Sequence, residues 1–334
     1  MFDAKKYALI DLHLHLDGSL SLESARSLAR AQEIELPDDD GELLSRLRVS
    51  KDCKDLNEYL ERFELPLTLL QSYDALKNAA FDLCEELYEA GLVYAEIRFA
   101  PQLHCRAGLS QEDAVIAVTE GAGASRLKAS IILCCMRGAD NKEENMLTVK
   151  LTKKYLGKGV CALDLAGAEA LFSNEGFTDV FEYARSLDLP FTLHAGEALG
   201  AESVRSAIKL GARRIGHGVR SVEDGELLAV LAEKKIALEL CPTSNLNTCV
   251  FDSIEEYPIR TFLDAGVAIT VNTDNLAVSN TSLAEEYELI ANTFSLTENE
   301  LMTIALNSAN AAFLPENEKS ELLNEVKNRF IAIK

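Results

Sequence analysis

Eight short apolar, mostly β-branched runs recur along the chain, at about 7–16, 93–101, 128–137, 160–167, 190–197, 213–219, 236–245 and 268–275. Amphipathic segments lie among them, notably Asp74–Ala90, Gln111–Ala124, Asn145–Tyr155, Ala201–Leu210 and Asp224–Glu233. Strands that alternate with helices pair in parallel through right-handed crossovers. Eight such units predict an α/β chain folded as a (β/α)8 barrel rather than an open doubly wound sheet. The open sheet would want a glycine-rich phosphate turn after an early strand. Gly121-Ala122-Gly123-Ala124 lacks that fingerprint and falls at a helix end. The interval 17–92 is too long for one crossover and predicts extra helices near the barrel mouth. The patterns after Asn275 predict further helices packed outside. With no linker and no repeat beyond the alternation, residues 1–334 read as one domain.

Composition narrows the class. Hydrophobic residues make up 48% and charged residues 26%, which suits a folded globule and excludes disorder as the main state. Asp and Glu number 54 against 33 Lys and Arg, a formal net charge of −21. Such a chain repels phosphate backbones and anionic lipid, so neither nucleic acid nor a membrane surface is an expected partner. No apolar run reaches the ~18 residues needed to span a bilayer, and the start lacks a signal-peptide core. The eight cysteines form no C-x-x-C pair, and Cys134-Cys135 sit inside an apolar run. Free thiols acting as small core hydrophobes predict a reducing, cytoplasmic setting.

The histidines carry more information. There are five, at 13, 15, 104, 194 and 217, and four lie at the ends of the first, fifth and sixth predicted strands. Barrel active sites are built at that end. Ile10-Asp11-Leu12-His13-Leu14-His15-Leu16-Asp17-Gly18 alternates strictly, so Asp11, His13, His15 and Asp17 share one strand face. His13 and His15 stand roughly 7 Å apart along such a strand and can converge on one metal ion. His194 ends the fifth strand, three residues before Glu197. A metal hydrolase needs an ion to activate water and a carboxyl group to move protons. Arg214-Ile215-Gly216-His217-Gly218 brings a fourth imidazole, and Thr270, Asn272 and Asp274 alternate on the last strand. Three His nitrogens and one carboxylate, from His13, His15, His194 and Asp274, suit Zn²⁺ with a position left for water. His217 or Glu197 as a ligand is the competing assignment. His104 reads as non-ligating, and Cys241, before Pro242, as a packed thiol.

Taken in order, these segments resemble the adenosine deaminase family of metal-dependent purine deaminases. The likeness runs from Asp11–Gly18 through Glu96-Ile97-Arg98-Phe99-Ala100-Pro101, Asp164-Leu165-Ala166-Gly167, His194-Ala195-Gly196-Glu197, Ile215-Gly216-His217-Gly218 and Leu240-Cys241-Pro242-Thr243-Ser244-Asn245 to Asn272-Thr273-Asp274-Asn275. It implies a (β/α)8 barrel and one zinc per chain on His13, His15, His194 and Asp274. It implies hydrolytic deamination of adenosine and 2′-deoxyadenosine to inosine and 2′-deoxyinosine, as in purine salvage, by attack of activated water at C6. Glu197 matches the residue that protonates ring N1, and so must be held protonated by burial. His217 matches the residue that deprotonates or orients the water, and Gly167 the backbone N–H facing N3. Asp17 matches the group that binds the ribose 5′-hydroxyl. Tyr59, Leu60 and Phe63 fall where the family has an apolar gating helix.

One position departs from the best-known pattern: Asn275 replaces a second Asp that bonds purine N7. An amide donates to N7 with no protonation cost, so recognition is preserved and its pH dependence changes. Asp17 disfavours a 5′-phosphate by charge. Adenine, 5′-modified adenosines and aminofutalosine-type nucleosides are the alternative substrates, and a nucleoside-binding barrel without catalysis is the alternative class. No interface pattern sets an oligomeric state.

Overall fold

The computed structural model describes residues 7–50 and 52–332. Its eight strands are β1 Leu9–His15, β2 Leu92–Phe99, β3 Ala129–Met136, β4 Val160–Ala166, β5 Thr192–Ala195, β6 Arg214–His217, β7 Ala237–Leu240 and β8 Ile269–Val271. All pairings are parallel, and helices alternate with the strands, as the sequence period predicts. The chain is an α/β barrel of the TIM type. Continuous ladders, however, run only within two halves, β1-β2-β3-β4 and β5-β6-β7-β8. Single bridges, Leu163 to Phe191 and Leu14 to Asp274, span the two seams.

Side chains replace the ladder at the β8–β1 seam. Leu12 N–H donates to Asn272 Oδ1 at 3.0 Å. Asp11 Oδ2 accepts from the N–H and hydroxyl of Thr273, at 3.3 and 2.6 Å. Asp11 Oδ1 also takes the N–H of His13, and the β1–β2 register slips between Asp11 and Leu14. Buried polar backbone must find partners, and here carboxylate and amide oxygens supply them.

The extra helices fall where expected. Five α-helices lie between β1 and β2: Leu22–Ala31, Asp40–Leu47, Leu56–Leu60, Glu64–Leu69 and Tyr73–Glu89. Three more follow β8: Leu283–Thr293, Glu298–Ala311 and Glu316–Ala332. Local chemistry fixes the helix ends. Ser110 and Asp113 form a reciprocal capping box on Gln111–Ala124, and Thr297 and Glu300 do the same for Glu298–Ala311. Gly121 is a packing residue rather than a phosphate turn. A Cβ there would lie 2.1 Å from the carbonyl oxygen of Lys77 on the neighbouring helix.

Two strands are shorter than the apolar pattern suggests. β7 stops at Leu240 because Pro242 begins a helix, Pro242–Asn247, at the one position where a missing N–H costs nothing. β8 stops at Val271, so Asp274 does not continue its alternation. Asp274 instead takes a left-handed backbone, φ +61°. Among the described residues no helix is long and apolar enough to cross a membrane.

Candidate active site

The C-terminal ends of β1 and β5 and the turn after β8 bring four side chains to one point. His13 Nε2 lies 3.0 Å from His194 Nε2 and 3.3 Å from Asp274 Oδ1. His15 Nε2 lies 3.2 Å from His194 Nε2 and 3.4 Å from Asp274 Oδ1. Ligands placed about 2.0–2.1 Å from a tetrahedral ion stand about 3.3–3.4 Å from each other, so this spacing fits zinc. Three imidazole nitrogens and a carboxylate oxygen converging at such distances form a group that could hold a metal ion. The outer nitrogens are spoken for: His13 Nδ1 meets Glu239 Oε2 at 2.8 Å, and His194 Nδ1 meets Asp164 Oδ2 at 3.0 Å. A ring that donates through Nδ1 presents the bare Nε2 a metal requires. Burial holds His15 and His194 below the usual imidazole range, which keeps them neutral and able to ligate.

Behind these rings lies a buried ionic frame. Arg98 pairs with Asp164 and Glu239, each at 2.8 Å, and Arg214 pairs with Glu96 and Glu239, each at 2.6 Å. All five side chains are buried. Each charge has a partner of opposite sign, the condition under which buried ions are tolerated. Sequence reasoning passed over Asp164 and Glu239 as site residues. Their signal was a lone carboxylate inside an apolar strand, Leu163-Asp164-Leu165 and Leu238-Glu239-Leu240.

Glu197 and His217 face the same point. Glu197 Oε2 lies 3.7 Å from His217 Nε2, and both are buried. Burial, with the carboxylates of Asp274 and Glu169 nearby, pushes the Glu197 carboxyl well above its ordinary range. Burial holds His217 well below its own. His217 Nδ1 stands 3.1 Å from the Asn245 amide, which also accepts from the Tyr257 hydroxyl at 2.9 Å. Ser244 donates to Asp274 Oδ2 at 2.6 Å, which leaves Oδ1 turned to the histidines. His13, His217 and Cys241 also approach closely enough to share an ion. The buried Cys241 thiol donates to the Glu239 carbonyl and is pushed well above its usual range by burial, so it behaves as a packed thiol. Glu197 belongs to neither ligand group.

A pocket of about 300 Å³ opens over this cluster. His15, Asp17, Gly167, Glu197, His217, Asp274 and Asn275 all line it, so the predicted residues meet in one place. Tyr59, Leu60 and Phe63 form the apolar wall opposite. Asp17 Oδ1 is buried without a protein partner, and burial pushes this carboxyl up to about 7. Asn275 donates through Nδ2 to the Tyr59 hydroxyl at 3.0 Å, which also bonds Ser279 at 2.7 Å. Its Oδ1 presses on Gly18, where a Cβ would meet it at 1.7 Å. His104 stands outside the cluster. Its Nδ1 bonds the carbonyl of Leu70, its ring lies against Phe99, and burial lowers it to about 4. A larger cavity, about 620 Å³, opens among Lys128, Arg213 and Lys235 at the other end of the strands, and no cluster of side chains that could hold a metal lies there among the described residues.

The sequence model of the family described as adenosine deaminase matches residues 8–329. The chain belongs to the adenosine deaminase family. It is 48% identical to the adenosine deaminase of Haemophilus ducreyi, over 97% of both chains. It is 40% identical to that of Enterococcus faecalis, over 95% of this chain and 94% of the other. Among solved structures it resembles the adenine deaminase of Arthrobacter aurescens, at 25% identity and a TM-score of 0.87, covering 96% of this chain and 98% of that one. A Burkholderia ambifaria amidohydrolase solved with bound zinc shares the fold, at 22% identity and a TM-score of 0.88, covering 98% and 92%.

Proposed function

We propose that this member of the adenosine deaminase family hydrolyses adenosine and 2′-deoxyadenosine to inosine and 2′-deoxyinosine with release of ammonia. The observation that carries the reading is the convergence of His13, His15, His194 and Asp274 beneath a pocket that Glu197 and His217 also face. These four residues would hold one zinc per chain. When bound, zinc supplies the Lewis acidity that makes a strong nucleophile of water at neutral pH.

The chain's own groups do the rest. Glu197, kept protonated by its buried setting, donates to ring N1 and draws electrons from C6. Water adds at C6, the C6–N bond breaks, and the amino group leaves as ammonia. His217, neutral in the resting site, orients the attacking water, takes its proton and passes it to the departing amino group, while the remaining hydroxyl proton returns to Glu197 as C6 becomes a carbonyl. The N–H of Gly167 faces N3. Asn275 spends one N–H on Tyr59, and its second is free for N7. Asp17 takes the ribose 5′-hydroxyl through its unpartnered oxygen.

The same wall argues for a nucleoside over a nucleotide. Among the described residues Arg137 is the one Lys or Arg lining the pocket; its two terminal nitrogens donate to the carbonyls of Phe172 and His194 and to Asn174, and its Nε has no partner. A 5′-phosphate would meet the Asp17 carboxyl, which would repel it when ionised. The eight free cysteines support a reducing, cytoplasmic setting, where this activity would serve purine salvage. One barrel over the described residues supports reading 1–334 as one catalytic domain.

The test is ultraviolet absorbance of zinc-loaded protein with adenosine, alongside adenine, AMP and 5′-methylthioadenosine. Rapid conversion of adenosine alone is the expected result. No change with any of them, in protein holding one zinc, would overturn the substrate assignment.

A further inference from the structure

Between β5 and the helix Ala201–Leu210 the chain has no regular structure, and Glu197 sits within this stretch. Four consecutive N–H groups there point at one side chain. Glu169 Oε1 accepts from Gly196 N–H at 2.8 Å and from the Ser203 hydroxyl at 2.6 Å. Its Oε2 accepts from the N–H groups of Glu197, Ala198 and Leu199 at 3.1, 2.7 and 3.0 Å. Glu169 is 1% exposed, and no Lys or Arg among the described residues pairs with it within 4 Å. Its two oxygens are therefore held by a nest of backbone amides, with the Arg137 charge acting from beyond ion-pair distance.

The fixation extends to both sides of Glu197. Its carbonyl accepts from Arg220 Nε at 3.0 Å. Asn174 donates to the carbonyl of Ser203 at 2.9 Å and accepts from Arg137, which donates to the carbonyl of His194 at 2.6 Å. One network thus grips the peptide of Glu197 and the peptide of a metal-site histidine. Charge-assisted bonds of this kind are short and directional, so they hold geometry well.

We infer that Glu169 is a positioning residue for the reaction: by holding the amides of 196–199 it sets where the Glu197 carboxyl enters the pocket. The inference rests on the reading of Glu197 as the acid at N1. A merely structural anchor would alter stability and leave the chemical step alone; a positioning residue must lose its effect once Glu197 cannot act.

The experiment is a double-mutant cycle in the zinc-loaded enzyme, with Glu169→Gln, Glu197→Gln and the pair, read as kcat, KM and metal content on adenosine. Glu169→Gln turns an amide N–H₂ against backbone donors, and the expected result is a kcat lower by roughly 10- to 100-fold, the scale of a small misplacement. KM and metal content should hold. The double variant should be as slow as Glu197→Gln alone, within about twofold. Losses that multiply fully, or an undiminished kcat in Glu169→Gln, would overturn the inference. Near-normal kcat in Glu197→Gln would overturn instead the reading of Glu197 on which it rests. If Glu169→Gln does not fold, Ser203→Ala removes one donor from the same carboxylate, and its loss must likewise vanish beside Glu197→Gln.

Discussion

Asp274 and His13 hold each other twice. The N–H of Asp274 donates to the carbonyl of His13 at 2.8 Å, and its Oδ1 sits 3.3 Å from His13 Nε2. The left-handed backbone at Asp274 makes both contacts possible from one residue, and strained backbone of this kind persists where its surroundings fix it. Asp274→Ala should therefore lower zinc affinity and turnover together. Zinc counted per chain after dialysis, beside the rate on adenosine, is the measurement. Full occupancy in the variant would remove Asp274 from the ligand set.

Glu239 joins His13, Arg98, Arg214 and the Thr192 hydroxyl. Glu239→Ala leaves two buried guanidinium groups short of a partner, which costs roughly 3–5 kcal/mol. It also frees His13 Nδ1, so zinc affinity should fall by about 10- to 100-fold. Urea unfolding and zinc titration read the two effects separately. A variant as stable as the parent would count against the frame.

His104 links acidity to stability. Burial lowers it from 6.5 to about 4, so the unfolded chain takes a proton that the folded one refuses. Stability is then lost as pH falls from 6.5 toward 4, by roughly 3 kcal/mol when complete. His104→Asn keeps a donor for the Leu70 carbonyl and cannot titrate. Between pH 7 and pH 4 the parent should lose that much more than the variant in denaturant titrations. Parallel curves would refute the linkage.

Gly18 has no room for a side chain because Asn275 rests on it. Gly18→Ala must displace the Asn275 amide. The loss of one buried bond to the purine predicts a kcat/KM lower by about 10- to 100-fold, with zinc retained. Unchanged kcat/KM would mean that Asn275 does not bind the base.

Much of the site was legible because strand periodicity puts His13 and His15 on one face, and because His194, His217 and Asp274 fall at strand ends. The strand ends themselves were less legible. Pro242 starts a helix, and Asp274 takes a backbone form that apolar patterning does not encode. Glu169 was missed for a different reason. Its partners are backbone amides 27 to 30 positions away, and amides carry no signature in the side-chain sequence. Asp164 and Glu239 had a signal in their apolar strands, but their partners, Arg98 and Arg214, lie far off along the chain.

The two-part construction of the barrel gives the metal site a mechanical meaning. His13 and His15 belong to one four-stranded half, and His194 and Asp274 to the other, so an ion held there would be a staple across a seam joined otherwise by an isolated bridge and a few side-chain bonds rather than a continuous ladder. An ion that binds only the joined halves stabilises the joined state. Chelation should then let the halves breathe apart as separate cooperative units. Deuterium exchange would report this at the amides of His15 and Asp274, while those inside each ladder stay protected.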